Sequence, residues 1–160
     1  MRLVIDTNVF VSGIFWEGNF CSQIIDAWKN RKFELVSSME IIDELAKTLR
    51  NFKIQMPEDM IEEWRNLIIE NSVIVKPTIK LNVVKDDPDD NKFLEAGATG
   101  KVDFIISQDK HLLKLKEYQG IKIVSPEEAL ELIKWECYSL FWFFFSKKKL
   151  VFIIFMLFLL

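Results

Sequence analysis

Four carboxylates stand where apolar runs end or turn inward: Asp6 in RLVIDTNVFVSG, Glu44 in SSMEIIDEL, Asp90 in DDPDDNKFLEA and Asp109 in VDFIISQDKHLL. Asp6 follows Leu3, Val4 and Ile5, and Val9, Phe10 and Val11 resume the apolar character after it. A carboxylate between two hydrophobic runs must be hydrated, hydrogen-bonded or paired with a cation. Asp109 repeats the arrangement after a second buried-strand run, with Ser107 as another polar group at the same edge. Glu44 is selected by helical geometry. At about 100° per residue from Ile41, the stripe of Ile41, Ile42, Leu45, Leu49 and Phe52 covers roughly 0–100°, and Glu44 borders it near −60°. Asp43 falls on the far side and Glu40 further out. Asp90 lies between Phe93 and Leu94 on the face shared with Gly97, Asp89 borders that face, and Asn91 points away.

Each acid also has a plainer reading. Asp6 suits a turn after a strand, Glu44 a solvated helix flank, and Asp90 and Asp109 the start of a helix. Taken together, two acids lie at strand ends and two on helix faces turned toward the sheet. Carboxylates brought that close repel and raise one another's pKa unless cations neutralise them. The physical resolution is one or two hard divalent cations on oxygen ligands, with Mg²⁺ or Mn²⁺ the usual fit. Such a site activates water and offsets charge on a phosphate during in-line displacement.

Other chemistries drop out. His111 is the one histidine, so a multi-histidine metal site is impossible, and the chain holds no G-x-S-x-G elbow, P-loop or G-x-G-x-x-G. Residues 1–133 carry 17 basic and 23 acidic side chains, a net of −6. That balance speaks against a broad basic face for duplex DNA, yet it does not exclude a nuclease whose metal supplies positive charge. Cys21 and Cys137 lie far apart without metal-ligand spacing, which points to a reducing, cytoplasmic setting rather than a disulfide framework. The N-terminus enters a strand directly, without a secretory-leader pattern.

The elements that must position these acids follow from the same patterns. Strands are predicted at 2–5, 33–36, 72–75, 103–106 and 121–124. Helices are predicted over 20–29, after a Ser37–Glu40 capping box, from Pro57 at a first helical turn, from about Asp89, briefly after Asp109, and from a Ser125–Glu128 capping box through Ile133. This alternation indicates an α/β domain around a mostly parallel sheet, whose site lies beyond the carboxyl ends of the strands. The acid-rich stretch from Lys76 to Asn91 is the longest predicted loop.

Residues 1–133 form the predicted domain, and 134–160 differ in kind. Two apolar runs of about ten residues flank Lys147, Lys148 and Lys149. Either run as a helix reaches roughly 15 Å, half of a hydrocarbon core, and joining them would bury three lysines. This hydrophobic tail reads as either an interfacial membrane contact or an accidental extension of the domain, and the composition shift favours the extension.

The four quoted stretches, in this order and spacing over residues 1–133, resemble the PIN domain family, and in particular the VapC-like toxin components of prokaryotic toxin–antitoxin systems. The resemblance implies a three-layer α/β/α fold and a Mg²⁺- or Mn²⁺-dependent ribonuclease with an RNA substrate, an antitoxin partner and a homodimeric state. The family's acids match Asp6, Glu44, Asp90 and Asp109. Asn8 takes the polar position after the first acid, and Ser107 the small hydroxyl position before the last. In the implied mechanism Asp6, Asp90 and Asp109 hold the metal and Glu44 completes the shell or orients water, with Asp87 and Asp89 as loop acids nearby. Lys92 or Lys110 would steady the RNA backbone. One departure is His111, which stands where relatives often carry a second acid two residues after Asp109, and this weakens a second-metal argument. The tail has no counterpart in the pattern.

Two other readings compete. A phosphatase of the haloacid dehalogenase type wants D-x-D-x-[ST], and Asn8 occupies its general-acid position. A PIN-like scaffold without catalysis, binding a partner at its acidic pocket and membrane-associated through the tail, is the alternative from another class. Stabilisation by Mn²⁺ separates a metal site from such a scaffold.

Overall fold

A computed structural model of the 160-residue chain describes residues 1–135. From residue 136 onward the hydrophobic tail expected over 134–160 lies outside the described residues. The elements run β1 (Arg2–Ile5), α1 (Thr7–Phe15), α2 (Phe20–Lys29), β2 (Glu34–Ser38), α3 (Met39–Arg50), α4 (Glu58–Glu70), β3 (Ser72–Val75), a 3-10 turn (Pro88–Asp90), α5 (Asn91–Gly100), β4 (Phe104–Ile106), α6 (Lys110–Leu115), β5 (Glu117–Tyr118) and β6 (Ile121–Val124). Residues 126–135 are helical.

The strands form one sheet in the order β3-β2-β1-β4-β6-β5, parallel throughout except for β5 against β6. Side chains alternate across a strand, so each central strand feeds two cores. Leu3, Ile5, Leu35 and Ile106 pack on one face with α1 to α4 and with Ala129, Leu130 and Ile133. Val4, Val36 and Ile105 pack on the other with Phe93, Leu94 and Ala96 of α5 and Leu112 of α6. The result is the expected three-layer α/β/α arrangement.

Several local expectations change. Residues 7–15, which carry no predicted helix, form α1, because Asp6 caps its start and Val9, Phe10 and Val11 are buried against the sheet. The cap of α3 is Ser38, whose hydroxyl accepts from the Ile41 N–H at 3.4 Å, while Ser37 stays in β2. Pro57 caps α4 from outside, one residue ahead of its first turn. The short edge strand β5 carried no sequence signal. At Ser125 the capping box is reciprocal, as predicted: the Ser125 N–H donates to Glu128 at 2.8 Å, and the Glu128 N–H to the Ser125 hydroxyl at 3.3 Å.

The chain turns back across the sheet between β3 and β4, so β1 is flanked by β2 on one side and β4 on the other. The crevice at the carboxyl ends of β1 and β4 is the switch point where such sheets bind ligands. The helix α5 crosses against β2 at Gly100, the last residue of that helix. A Cβ there would overlap Val36 Cγ1. Gly100→Ala is therefore expected to cost about 1–3 kcal/mol, read as a lower denaturant midpoint with unchanged slope; a neutral variant would show that α5 can shift away from β2 without loss.

Candidate active site

Asp6 is the first residue past β1, and only 2% of its surface is exposed. Its N–H extends the ladder by donating to the Ile106 carbonyl at 2.9 Å. One carboxylate oxygen accepts from the Asn8 N–H at 3.1 Å, which caps α1. The other accepts from the Ser107 hydroxyl at 2.5 Å. Burial pushes the Asp6 carboxyl above its ordinary range, the Ser107 and Asn8 bonds oppose that, and the charges of Glu44 and Asp109 add to the rise.

Ser107 is fully buried and joins two acids. While it donates to Asp6, its oxygen accepts the Asp109 N–H at 2.9 Å. Asp109 in turn accepts the His111 N–H at 2.6 Å and caps α6. Both strand-end acids therefore do serve as helix caps, and each retains a carboxylate oxygen beyond the one that caps. His111 is turned toward Asp86, with Nδ1 at 3.5 Å.

Glu44 reaches the site from the flank of α3, as its helical angle predicts. It is ion-paired with the Lys92 ammonium, which also lies 5.3 Å from the Phe93 ring centroid. The Lys92 side chain is 12% exposed, so this lysine holds Glu44 instead of standing free for a substrate backbone. Lys110 is exposed.

Asp90 departs from its plainer reading. It sits at the cap position of α5 yet makes no side-chain capping bond, and its Oδ2 is buried without a hydrogen-bond partner. Burial first, then the charges of Asp6, Asp87 and Asp109, push its carboxyl up to about 7, against the pull of Lys92. Asp87 caps the 3-10 turn through the Asp89 N–H at 3.2 Å, and Asp89 is exposed.

Asn91, expected to point away, is 3% exposed and ties down the loop before it. Its Oδ1 accepts the N–H groups of Val83 and Val84 at 2.8 and 3.0 Å, and its Nδ2 donates to the carbonyls of Val84 and Pro88 at 3.2 and 2.8 Å. Four bonds from one side chain place the turn that carries Asp87 and Asp90. Helical angles could not reveal this, because the partners lie in the preceding loop rather than in α5.

Asp6, Asn8, Glu44, Asp90 and Asp109 line one open cleft of about 740 Å³, together with Asp87 and Asp89. Against their predicted outward angles, Glu40 and Asp43 line it too, because the cleft is wide enough to take in the flank of α3. Ser107 lies beneath it. Among the described residues, no three such side chains are drawn together closely enough to hold a metal unaided. The donor set nevertheless suits a hard divalent cation: every candidate ligand is an oxygen, one buried carboxylate oxygen lacks a partner, and the acids repel one another. An Asp at this depth would otherwise carry a desolvation cost with no evident return.

The PIN domain profile matches residues 2–111, a span that includes all four acids. The chain belongs to the PIN domain family. Members of that family are generally nucleases, which supports a hydrolase. An uncharacterized protein of Methanocaldococcus jannaschii, MJ1680, is 28% identical to this PIN domain over 142 residues, covering 82% of this chain and 90% of that one. Two solved structures share the fold. One is VapBC2 from Rickettsia felis bound to a DNA fragment from its promoter, with a TM-score of 0.54 and 11% identity over 78% of this chain and 98% of that one. The other is FitAB bound to the IR36 DNA fragment, with a TM-score of 0.53 and 10% identity over 78% and 94%. No helix among the described residues is long and apolar enough to cross a membrane.

The raised carboxyl of Asp90 has a sign that can be checked. The folded PIN domain holds this proton more tightly than the unfolded chain, whose value is 3.8, so the stabilisation is complete below that pH and is lost as pH rises through about 7. In metal-free buffer at pH 8, Asp90→Asn is expected to unfold at a higher temperature than the parent. For a chain of this size the gain is about 2–4 °C per kcal/mol of burial cost and repulsion removed, and the gap should close toward pH 4. An equal gap at both pH values would contradict a raised Asp90 carboxyl.

Proposed function

We propose that this PIN domain is a Mg²⁺- or Mn²⁺-dependent endoribonuclease, the toxin of a toxin–antitoxin pair. The observation that carries the reading is the convergence of Asp6, Glu44, Asp90 and Asp109 on one cleft, with a buried Asp90 oxygen left without a partner. Asp6, Asp90 and Asp109 would present the oxygen ligands, and Glu44 would complete the shell or orient the attacking water. When bound, the cation supplies charge that activates water and offsets the phosphodiester's negative charge.

The chain's own residues do the positioning. Ser107 fixes the Asp6 carboxylate through its hydroxyl and orders Asp109 through the Asp109 N–H. Asn8 stands exposed at the cleft mouth beside Asp6, available to a substrate oxygen. Lys92 holds the Glu44 carboxylate at the cleft through their ion pair. RNA as substrate and a homodimer follow from the family resemblance, and a cytoplasmic setting from the cysteine usage. An antitoxin partner is further supported by the two structural neighbours, which are both complexes of paired proteins with DNA.

The competing reading is a catalytically silent scaffold. One observation favours it: the Lys92 ammonium pairs with Glu44 and needs no metal ion to do so.

The test compares the parent and Asp6→Asn on single-stranded RNA with Mn²⁺ and with chelator. Cleavage by the parent is expected only with metal. The variant should lose about 100-fold or more, the upper end of what even an outer-shell partner of a metal costs. Mn²⁺ at 100 times its Kd should also stabilise the parent by about 2.7 kcal/mol. Equal cleavage under all conditions, or no cleavage and no Mn²⁺ stabilisation, would overturn the nuclease reading.

A further inference from the structure

The carboxylate chemistry leaves one aromatic cluster unused. Phe15 and Phe52 stack with centroids 4.8 Å apart and planes 20° from parallel. Trp16 stands edge-on to both, at 6.0 Å from Phe15 and 5.8 Å from Phe52. Although Trp16 is one of the larger apolar side chains of the domain, 43% of its surface is exposed.

The cluster is built by the two helices that deliver Asp6 and Glu44. Asp6 caps the start of α1, and Phe15 and Trp16 close its other end. Glu44 lies in α3, and Phe52 follows two residues after that helix ends. At 1.5 Å per residue the aromatic end lies about 12–15 Å from the acids. Between the two ends, Glu44, Lys47, Thr48 and Asn51 recur at the i, i+3, i+4, i+7 spacing of one helix face, and all four line the same cleft that Phe52 closes. This row runs from a carboxylate through an ammonium, a hydroxyl and an amide to the aromatic end.

We propose that Trp16, braced by Phe52 and Phe15, is a stacking platform for one nucleobase of a single-stranded RNA, and that Lys47 meets the phosphate on the way to the acids. The proposal rests on the nuclease reading and adds to it a subsite away from the scissile bond. Charge makes an uncharged contact necessary for a strand bound here. The cleft is rich in acids, and Lys92 is occupied by Glu44. Ion pairing therefore supplies little affinity for a polyanion, and an uncharged contact must contribute it. A single strand offers flat π faces that a duplex hides, and stacking on Trp is tolerant of base identity.

The test uses the full chain with Asp6→Asn, which stops cleavage, and a 5′-labelled oligoadenylate whose binding is read by fluorescence anisotropy. A parallel set of strands carries a single abasic position moved along the oligonucleotide. Adding Trp16→Ala is expected to weaken binding about ten-fold, within the range for one base on one aromatic ring, while Trp16→Phe retains most of it. One abasic position should cost about the same, and should cost nothing further once Trp16 is alanine. Because stacking involves no charge, this loss should persist from low to high salt. With Asp6 intact and Mn²⁺ present, Trp16→Ala should raise KM by a similar factor and leave kcat near the parent value.

Additive losses at every abasic position, or unchanged RNA binding in Trp16→Ala, would overturn the platform. If the parent cleaves RNA while Trp16→Ala matches it in KM, the platform alone fails. If the parent neither binds nor cleaves RNA with Mn²⁺, the nuclease reading fails and the platform with it.

Discussion

The candidate site depends on the burial of one carboxylate at the carboxyl end of a central strand. Asp6 is almost fully enclosed, and its two oxygens are held by a hydroxyl at 2.5 Å and a backbone N–H at 3.1 Å. Those two bonds tie β1 to the segment after β4 and to the start of α1, so three parts of the fold meet on one side chain. The apolar residues before Asp6 fix its depth, since Leu3, Val4 and Ile5 are each at most 1% exposed and cannot slide along the sheet without exposing one core or the other. Hydrogen bonds to a charged acceptor are worth roughly 1.5–3 kcal/mol, which is what keeps an acid stable at this position.

Around that fixed point the remaining acids are held by different means. Asp109 is placed by Ser107, through the same hydroxyl that holds Asp6. Glu44 is placed by the inward face of α3 and its pairing with Lys92. Asp90 is placed indirectly, because Asn91 secures the loop and the 3-10 turn before α5. Asp90 therefore faces the other acids without a bond of its own, and its carboxyl is pushed toward neutrality. Groups whose environments push them away from their ordinary values concentrate at functional sites. The structural roles of Asp6 and Asp109 as helix caps are compatible with this, since a cap uses only one lone pair of a carboxylate.

Much of the fold is legible in local pattern. The apolar runs at 2–5, 72–75 and 121–124 coincide with β1, β3 and β6. The angle of Glu44 relative to Ile41 and Leu45 places it correctly at the edge of its helix, because an amphipathic stripe fixes orientation about the helix axis. The helix at 7–15 escaped because Val9, Phe10 and Val11 form a continuous apolar run, which fits a buried strand as well as a buried helix. The capping box is predicted at Ser37, and β2, which runs on to Ser38, moves the cap of α3 to Ser38. Helical angle alone turns Asn91 outward, whereas its partners lie up to eight residues back in the loop. Lys92 illustrates the same limit, since its pairing with Glu44 crosses from one helix to another.

By itself the sequence determined which residues could do the chemistry and the strand–helix alternation of most elements. Residue type, a period of two in strands and a period near 3.6 in helices are properties of neighbours along the chain, so Asp6, Glu44, Asp90 and Asp109 stand out without coordinates. Only the tertiary structure decided what each acid meets. Ser107 and Asp6 are 101 residues apart, and Lys92 and Glu44 are brought together across two helices. Whether a carboxylate is capped, paired or left bare depends on distances between segments, and these are set by how two cores pack on opposite faces of one sheet. That packing leaves a buried Asp90 oxygen without a hydrogen-bond partner, in a cleft lined by acids from several segments.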